Sequence, residues 1–436
     1  MTRPGETERA LPAAVAAGAR VRLWYRLGLF LAVMGPGLVT GVVDDDPTGI
    51  AGYSLAGARH GYSLIWVLIL STLALAVVHE MVARMGVVTG KGLADLIRES
   101  FGLRTTFLAM ATLLVANMTT TIAEFAGVAG ASEIFGVSRY ISVPIAAVVV
   151  FGGVALGSYR RFEIFLILGS LFLFVCYVVT GFLAKPDWGQ VAQGSFVPTL
   201  RPTLGYFTIV IGIIGTTITP WQQFYLQSAV VDKGLSEREY ALTKLDVYLG
   251  AIVMSMVAFF IILTTAATLW AHGQPADTVT DVAQALRPLA GEEAERFFAL
   301  GLLSAAIMAA AVIPLSSAYS VCEAFGWERS VNRSPREAPA FFGLFAAQMV
   351  LGAIAVLIPG VPLLALLFLP NVVGGILLPI ILILMLKLVN DRRLMGKMVN
   401  SRGQNFIAWA TTVMILCLTG AYLGIAALQA LGVIQA

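Results

Sequence analysis

Apolar residues run along the chain in blocks of about twenty, closed by short polar or basic connections. A continuous apolar run of that length crosses a ~30 Å hydrocarbon layer as a helix, whereas a membrane barrel strand alternates apolar and polar at every second residue. The pattern predicts eleven helical spans, over 30–57, 63–88, 105–132, 140–157, 162–184, 204–230, 241–270, 296–325, 340–358, 363–389 and 405–431. The connection over 272–295 carries Asp277, Asp281, Glu292, Glu293 and Glu295 and reads as a short amphipathic surface helix. The composition fits a polytopic membrane protein, with 58% apolar and 12% charged residues. A soluble average is about 25% charged. A soluble enzyme, a disordered chain and a nucleic-acid binder are thereby excluded, and a net charge of +3 implies no anionic partner. Cys176, Cys322 and Cys417 lie in apolar runs without ligand spacing and read as buried packing residues.

Basic residues fix the expected orientation. With the N-terminus inside, the tail and the even-numbered connections hold 22 of the 28 Lys and Arg residues, and the opposite side holds six. The positive-inside rule then places residues 1–28 as a cytoplasmic tail and, with eleven spans, the C-terminus outside a plasma (inner) membrane. The lipid bilayer is the one structural partner expected, and no obligate protein partner is evident.

Two spans are interrupted. The first carries Asp44, Asp45 and Asp46 in mid-span, followed at once by Pro47. The sixth runs Gly215-Thr216-Thr217-Ile218-Thr219 into Pro220. Proline removes a backbone donor and clashes with the preceding turn, so each helix is expected to open there, with Gly41 and Gly49 easing irregular backbone in the first. The two Pro-preceding residues, Asp46 and Thr219, are 173 positions apart, close to five spans. An odd number of spans per repeat inverts the second copy. The chain thus divides into a first inverted repeat over 29–189, a second over 200–390 and an extra helix over 404–436. Discontinuous helices in inverted repeats form the midplane site of a secondary transporter. An ionised carboxylate at the bilayer centre costs about 2.5–3.5 kcal/mol on insertion scales and marks an ion path. No basic residue lies in either break, so the balancing positive charge is expected from a cationic substrate.

The run from Gly35 to Ile50, the segment Met85 to Asp95 and the stretch from Thr217 to Val231 together resemble the Nramp family of divalent-metal transporters. The resemblance implies a fold of the leucine-transporter type: an all-α membrane protein of two five-helix inverted repeats plus one helix, with helices 1 and 6 broken. It implies a divalent metal as substrate, no cofactor, no enzymatic chemistry, and a site at Asp46, Gly49, Thr216, Thr219, Gln223 and Asn371. Gly49 stands where the family has an asparagine ligand, Thr219 where it has a methionine, and Trp221 where it has a histidine. Thr121 replaces an aspartate of the proton route, while Glu124 is kept. Asp44, Asp45, Thr121 and Glu124 are the expected ion-pathway residues.

These replacements turn into a substrate expectation. A thioether favours borderline and soft ions such as Mn²⁺ and Fe²⁺, whereas an all-oxygen site suits Mg²⁺, which keeps several waters. The chain is similar to the magnesium-transporting branch of the family, and import of partly hydrated Mg²⁺, with Mn²⁺, is expected by alternating access. Loss of two titratable groups points to transport without proton coupling, driven by the membrane potential at ~2.3 kcal/mol per charge per 100 mV. A proton-coupled Mn²⁺/Fe²⁺ symporter is the alternative, because Asp46 and Glu124 persist, and a cation-coupled organic-solute symporter is a distant one. His79-Glu80 opens like a zinc-protease helix but lacks the second histidine, and reads as a cytoplasmic helix end. Gly90-Lys91-Gly92 reads as a turn, not a phosphate loop.

Overall fold

The computed structural model describes residues 36–155, 159–201, 203–274, 276–329, 331 and 333–430. The expected cytoplasmic tail, the start of the first span and the ends of the fourth and last spans lie outside them. Every regular element among the described residues is helical. The first expected span is a pair of half-helices, α1 (Pro36–Asp44) and α2 (Pro47–His60), with Asp45 and Asp46 between them. Gly61, at φ +59°, and one 3-10 turn lead into α3 (Ile65–Thr89). α4 (Leu93–Ile134) is kinked at Gly102, and α5 (Arg139–Ala155) follows. α6 (Tyr159–Leu183) and α7 (Trp188–Phe196) are bent by 115° at their junction. The sixth expected span is again a pair, α8 (Leu204–Thr217) and α9 (Pro220–Asp232), before α10 (Tyr240–Thr268). A short α11 (Val279–Ala283) precedes α12 (Ala294–Phe325), α13 (Pro339–Val356), α14 (Leu363–Val389) and α15 (Arg402–Ala430).

Each of the eleven expected segments falls on a helix or on a pair of half-helices. By length and hydropathy, eight described helices are fit to cross a membrane, or nine if the bent α6–α7 pair is one span. The lower number arises because Pro47–Thr89 counts once and α5 has only 17 residues. α4 and α12 pack along each other at the centre, with α14 against α4 and with α1, α2 and α3 against α10. Outward faces carry exposed apolar side chains such as Phe107, Val148, Leu351 and Val413, as lipid contact requires.

Three local expectations need correction, and one is met. Gly41 does not loosen the break. It sits in regular α1 against α10, where an added Cβ would lie 2.7 Å from the Gly250 carbonyl oxygen. Gly49 is likewise helical, in the first turn of α2. Cys417 is exposed on α15, unlike buried Cys176 and Cys322, because α15 packs only one face on the bundle. The 272–295 connection holds the short α11 and is amphipathic as expected: Val279, Val282, Ala283, Ala285 and Leu286 are buried against the bundle, while Asp277, Glu292 and Glu293 are exposed. His79 and Glu80 are no helix end. They lie ten and nine residues before the end of α3 and are 1% and 0% exposed.

Glu80 anchors a buried polar network. Its carboxylate accepts from the Tyr240 hydroxyl of α10 and, at 2.7 Å, from Gln404 Nε2 of α15. Arg84, one turn on, places Nε 3.2 Å from Glu80 Oε1, at ion-pair distance. Its Nη1 donates to the carbonyls of Met398 and Val399 at 2.8 and 3.1 Å, and its Nη2 donates to Asn400 Oδ1. Asn400 and Asn390 both bond Asn405, extending the network to the end of α14. The extra helix is thereby riveted to α3.

Candidate functional site

Both breaks are built the same way. Asp46 is the N-cap of α2 in extended backbone (φ −74°, ψ 179°), with Pro47 at the first helical position. Its Oδ1 accepts from Thr48 N–H at 2.7 Å, Thr48 Oγ1 at 2.6 Å and Gly49 N–H at 3.0 Å. Thr219 is the N-cap of α9 (φ −84°, ψ 145°), with Pro220 next, and forms a capping box with Gln222. Gln222 Oε1 accepts the Thr219 N–H at 3.1 Å. Proline suits the first helical position because its missing donor is one of the orphans there, and its fixed φ is helical already.

The caps decide the polarity of the site. A helix leaves N–H groups free at its start and carbonyls free at its end. Here the starts of α2 and α9 are served by side chains, and the other ends that face the breaks are the carbonyl termini of α1 and α8. Partial negative charge at those termini favours a cation. An anionic substrate would need the amide ends that Asp46 and Gln222 already occupy.

Buried oxygens without donors gather around this point. Asp45, 1% exposed, has an unpartnered Oδ1. Glu124 of α4, fully buried, comes within hydrogen-bonding reach of Asp46, yet neither of its oxygens has a donor. Two carboxylates are both acceptors, so a contact between them calls for a cation or a shared proton. Thr216 Oγ1 and Gln223 Oε1 are also buried and unpartnered, while Gln223 Nε2 bonds the Thr219 carbonyl at 3.1 Å. Asn371 of α14 donates to the Thr48 carbonyl at 2.8 Å, and its side chain and that of Thr216 both lie against Gly52 of α2. At Gly215 of α8 and Gly375 of α14 the two backbones approach so closely that neither position has room for a Cβ. This brings the carbonyl end of α8 beside Asn371.

Of the sequence-derived residues, Asp46, Gly49, Thr216 and Asn371 meet around the start of α2, and Thr219 and Gln223 share the first turn of α9. Glu124 reaches them from α4. Thr121, one turn earlier, spends its hydroxyl on the Asn117 carbonyl at 2.7 Å and lays its methyl against Gly352. The side chain of Asp44 lies outside the described set. Gln222, absent from the sequence-derived set, is a structural part of the site. Its signal was legible as Thr-x-x-Gln, the N-terminal capping-box pattern. On the side of the 272–295 connection, Pro47 and Ile50 close against Val279, Val282, Phe298 and Leu367, leaving a cavity of 10 Å³. That is at or below what one water needs.

Two interrupted helices, capped alike and flanked by buried oxygens, are the arrangement of a secondary membrane transporter. Residues 37–424 match the family model described as natural resistance-associated macrophage protein-like, and the chain belongs to the Nramp family. It is 33% identical over 291 residues to the divalent metal cation transporter MntH of Erwinia tasmaniensis, spanning 64% of this chain and 70% of that one. Its fold is similar to that of the manganese transporter of Eremococcus coleocola (TM-score 0.75, 21% identity, 89% of this chain and 85% of the other). It is more distantly similar to Mhp1, a nucleobase-cation-symport-1 family transporter (TM-score 0.51, 16% identity, 90% and 93%). The leucine-transporter-type architecture implied by the family resemblance is therefore the fold of this chain.

Proposed function

We propose that this protein carries divalent metal ions across a plasma (inner) membrane by alternating access, with Mg²⁺ and Mn²⁺ as substrates. Asp46, Gly49, Thr216, Thr219, Gln223 and Asn371 form the site, with Asp44, Asp45, Thr121 and Glu124 along the ion path, and the N-terminus is cytoplasmic. The observation that carries this reading is the capping of both half-helix starts by side chains, which leaves carbonyl ends and carboxylates facing the breaks. Relatives named as divalent-metal and manganese transporters support the substrate class. Preference for Mg²⁺ rests on the donor set: hydroxyl, amide and carboxylate oxygens surround the breaks, with threonine at position 219 and tryptophan at 221. The absence of proton coupling rests on Thr121, whose hydroxyl is tied to its own helix and does not titrate.

A second reading, proton-coupled transport, is favoured by one observation, the contact of Glu124 with Asp46, which a shared proton would satisfy. Uptake into proteoliposomes holding a Mg²⁺ dye and a pH dye separates the two. The expected result is Mg²⁺ entry with no acidification. Mn²⁺ entry with acidification and no Mg²⁺ signal would overturn both the Mg²⁺ preference and the uncoupled cycle. The double variant Gly49→Asn with Thr219→Met tests selectivity. Adding a thioether and an amide to the breaks is expected to lower the Mg²⁺-to-Mn²⁺ uptake ratio about tenfold. An unchanged ratio means selectivity is set elsewhere.

A further inference from the structure

His79 is a buried imidazole in the middle of α3, 1% exposed, and the ion path described above makes no use of it. Its Nε2 lies 3.3 Å from Gln222 Oε1, 143 residues away on α9. That same oxygen accepts the backbone N–H of Thr219 at 3.1 Å. A backbone N–H can only donate, so oxygen and not nitrogen of the amide must occupy this point. It follows that His79 Nε2 carries a hydrogen and donates it. Gln222 Nε2, by contrast, is buried and has no partner. The amide of this fully buried glutamine is therefore held at one atom by two donors, one from its own helix and one from α3.

We propose that His79 is a positioning residue of the transport site, acting through Gln222. The Nε2–H donated across the α3–α9 interface fixes the Gln222 amide over the start of α9. That in turn holds Thr219 in its extended cap conformation and sets where Thr219 and Gln223 present their oxygens. Without the imidazole donor, a single backbone N–H holds the amide. Its rotation would release the N-cap and let the first turn of α9 fray at the ion site. The inference rests on the reading of Thr219 and Gln223 as ion ligands.

The test is initial-rate uptake of Mn²⁺ into proteoliposomes by the full chain carrying His79→Leu, His79→Gln, Gln222→Leu or the pair His79→Leu/Gln222→Leu. Leucine fills the space without a donor, whereas glutamine restores an N–H at the position of Nε2. Loss of one buried hydrogen bond is expected to raise KM about tenfold in His79→Leu, with kcat within about twofold. His79→Gln is expected to return KM to within about twofold of wild type, and the double variant to be no worse than Gln222→Leu alone. Equal impairment in His79→Leu and His79→Gln would mean that ring packing matters and not the donor, and would overturn the proposal. So would wild-type KM in His79→Leu, or additive effects in the double variant. Asp46→Ala, run in parallel, separates the two layers. If it transports normally the site itself is misplaced, whereas an inactive Asp46→Ala beside a normal His79→Leu removes only the role of His79.

Discussion

Asp46→Asn is expected to give a protein that folds with wild-type thermal stability and has lost divalent-metal uptake. Asp46 does two things with one side chain. Its Oδ1 caps α2 through three hydrogen bonds, and its charge sits in a buried break beside Glu124. Asparagine is as good an N-cap as aspartate, so the half-helix start stays satisfied. What disappears is the charge, and with it the strongest oxygen ligand of the proposed site. Losing even a supporting contact lowers metal affinity by 10–100-fold, so uptake is expected to fall by at least about 100-fold. Asp46→Ala removes the cap as well and is expected to lower stability by about 1 kcal/mol on top of the same loss of uptake. Uptake by Asp46→Asn within a few-fold of wild type would show that the carboxylate only builds the break.

Arg84→Ala is expected to have the largest effect on stability of any single change outside the site. The guanidinium is 4% exposed and serves Glu80, two backbone carbonyls and Asn400 at once. Deleting it strands a buried carboxylate and two carbonyls. Breaking a buried pair from one side costs about 3–5 kcal/mol, because the remaining charge is uncompensated. Arg84→Lys is expected to recover little, since one ammonium cannot replace a planar fork that reaches acceptors on two sides. The measurement is thermal unfolding in detergent, with limited proteolysis of the 390–405 connection alongside. An unchanged midpoint and unchanged protection in Arg84→Ala would remove the rivet between α3 and α15.

The two breaks were legible because their causes are local. Asp46-Pro47 and Thr219-Pro220 each place a capping side chain before a proline, and both breaks fall where that pairing puts them. The reason for the break was less legible. Gly41 looked like a loosening residue and turned out to be the room α10 needs at Gly250. His79 and Glu80 read as a helix end because their partners, Gln222, Tyr240 and Gln404, lie 143, 160 and 324 residues away. Charge near the end of an apolar run has two physical outcomes, hydration or pairing, and the run itself does not choose between them.

The self-made caps have a consequence for the empty carrier. A site whose shape depended on its cargo would collapse once the ion left, and would have to be rebuilt before the next turn of the cycle. Here Asp46 and the Thr219–Gln222 pair hold both half-helix starts open with the protein's own groups. A carrier that retains its broken helices after unloading need not rebuild them before the next ion enters.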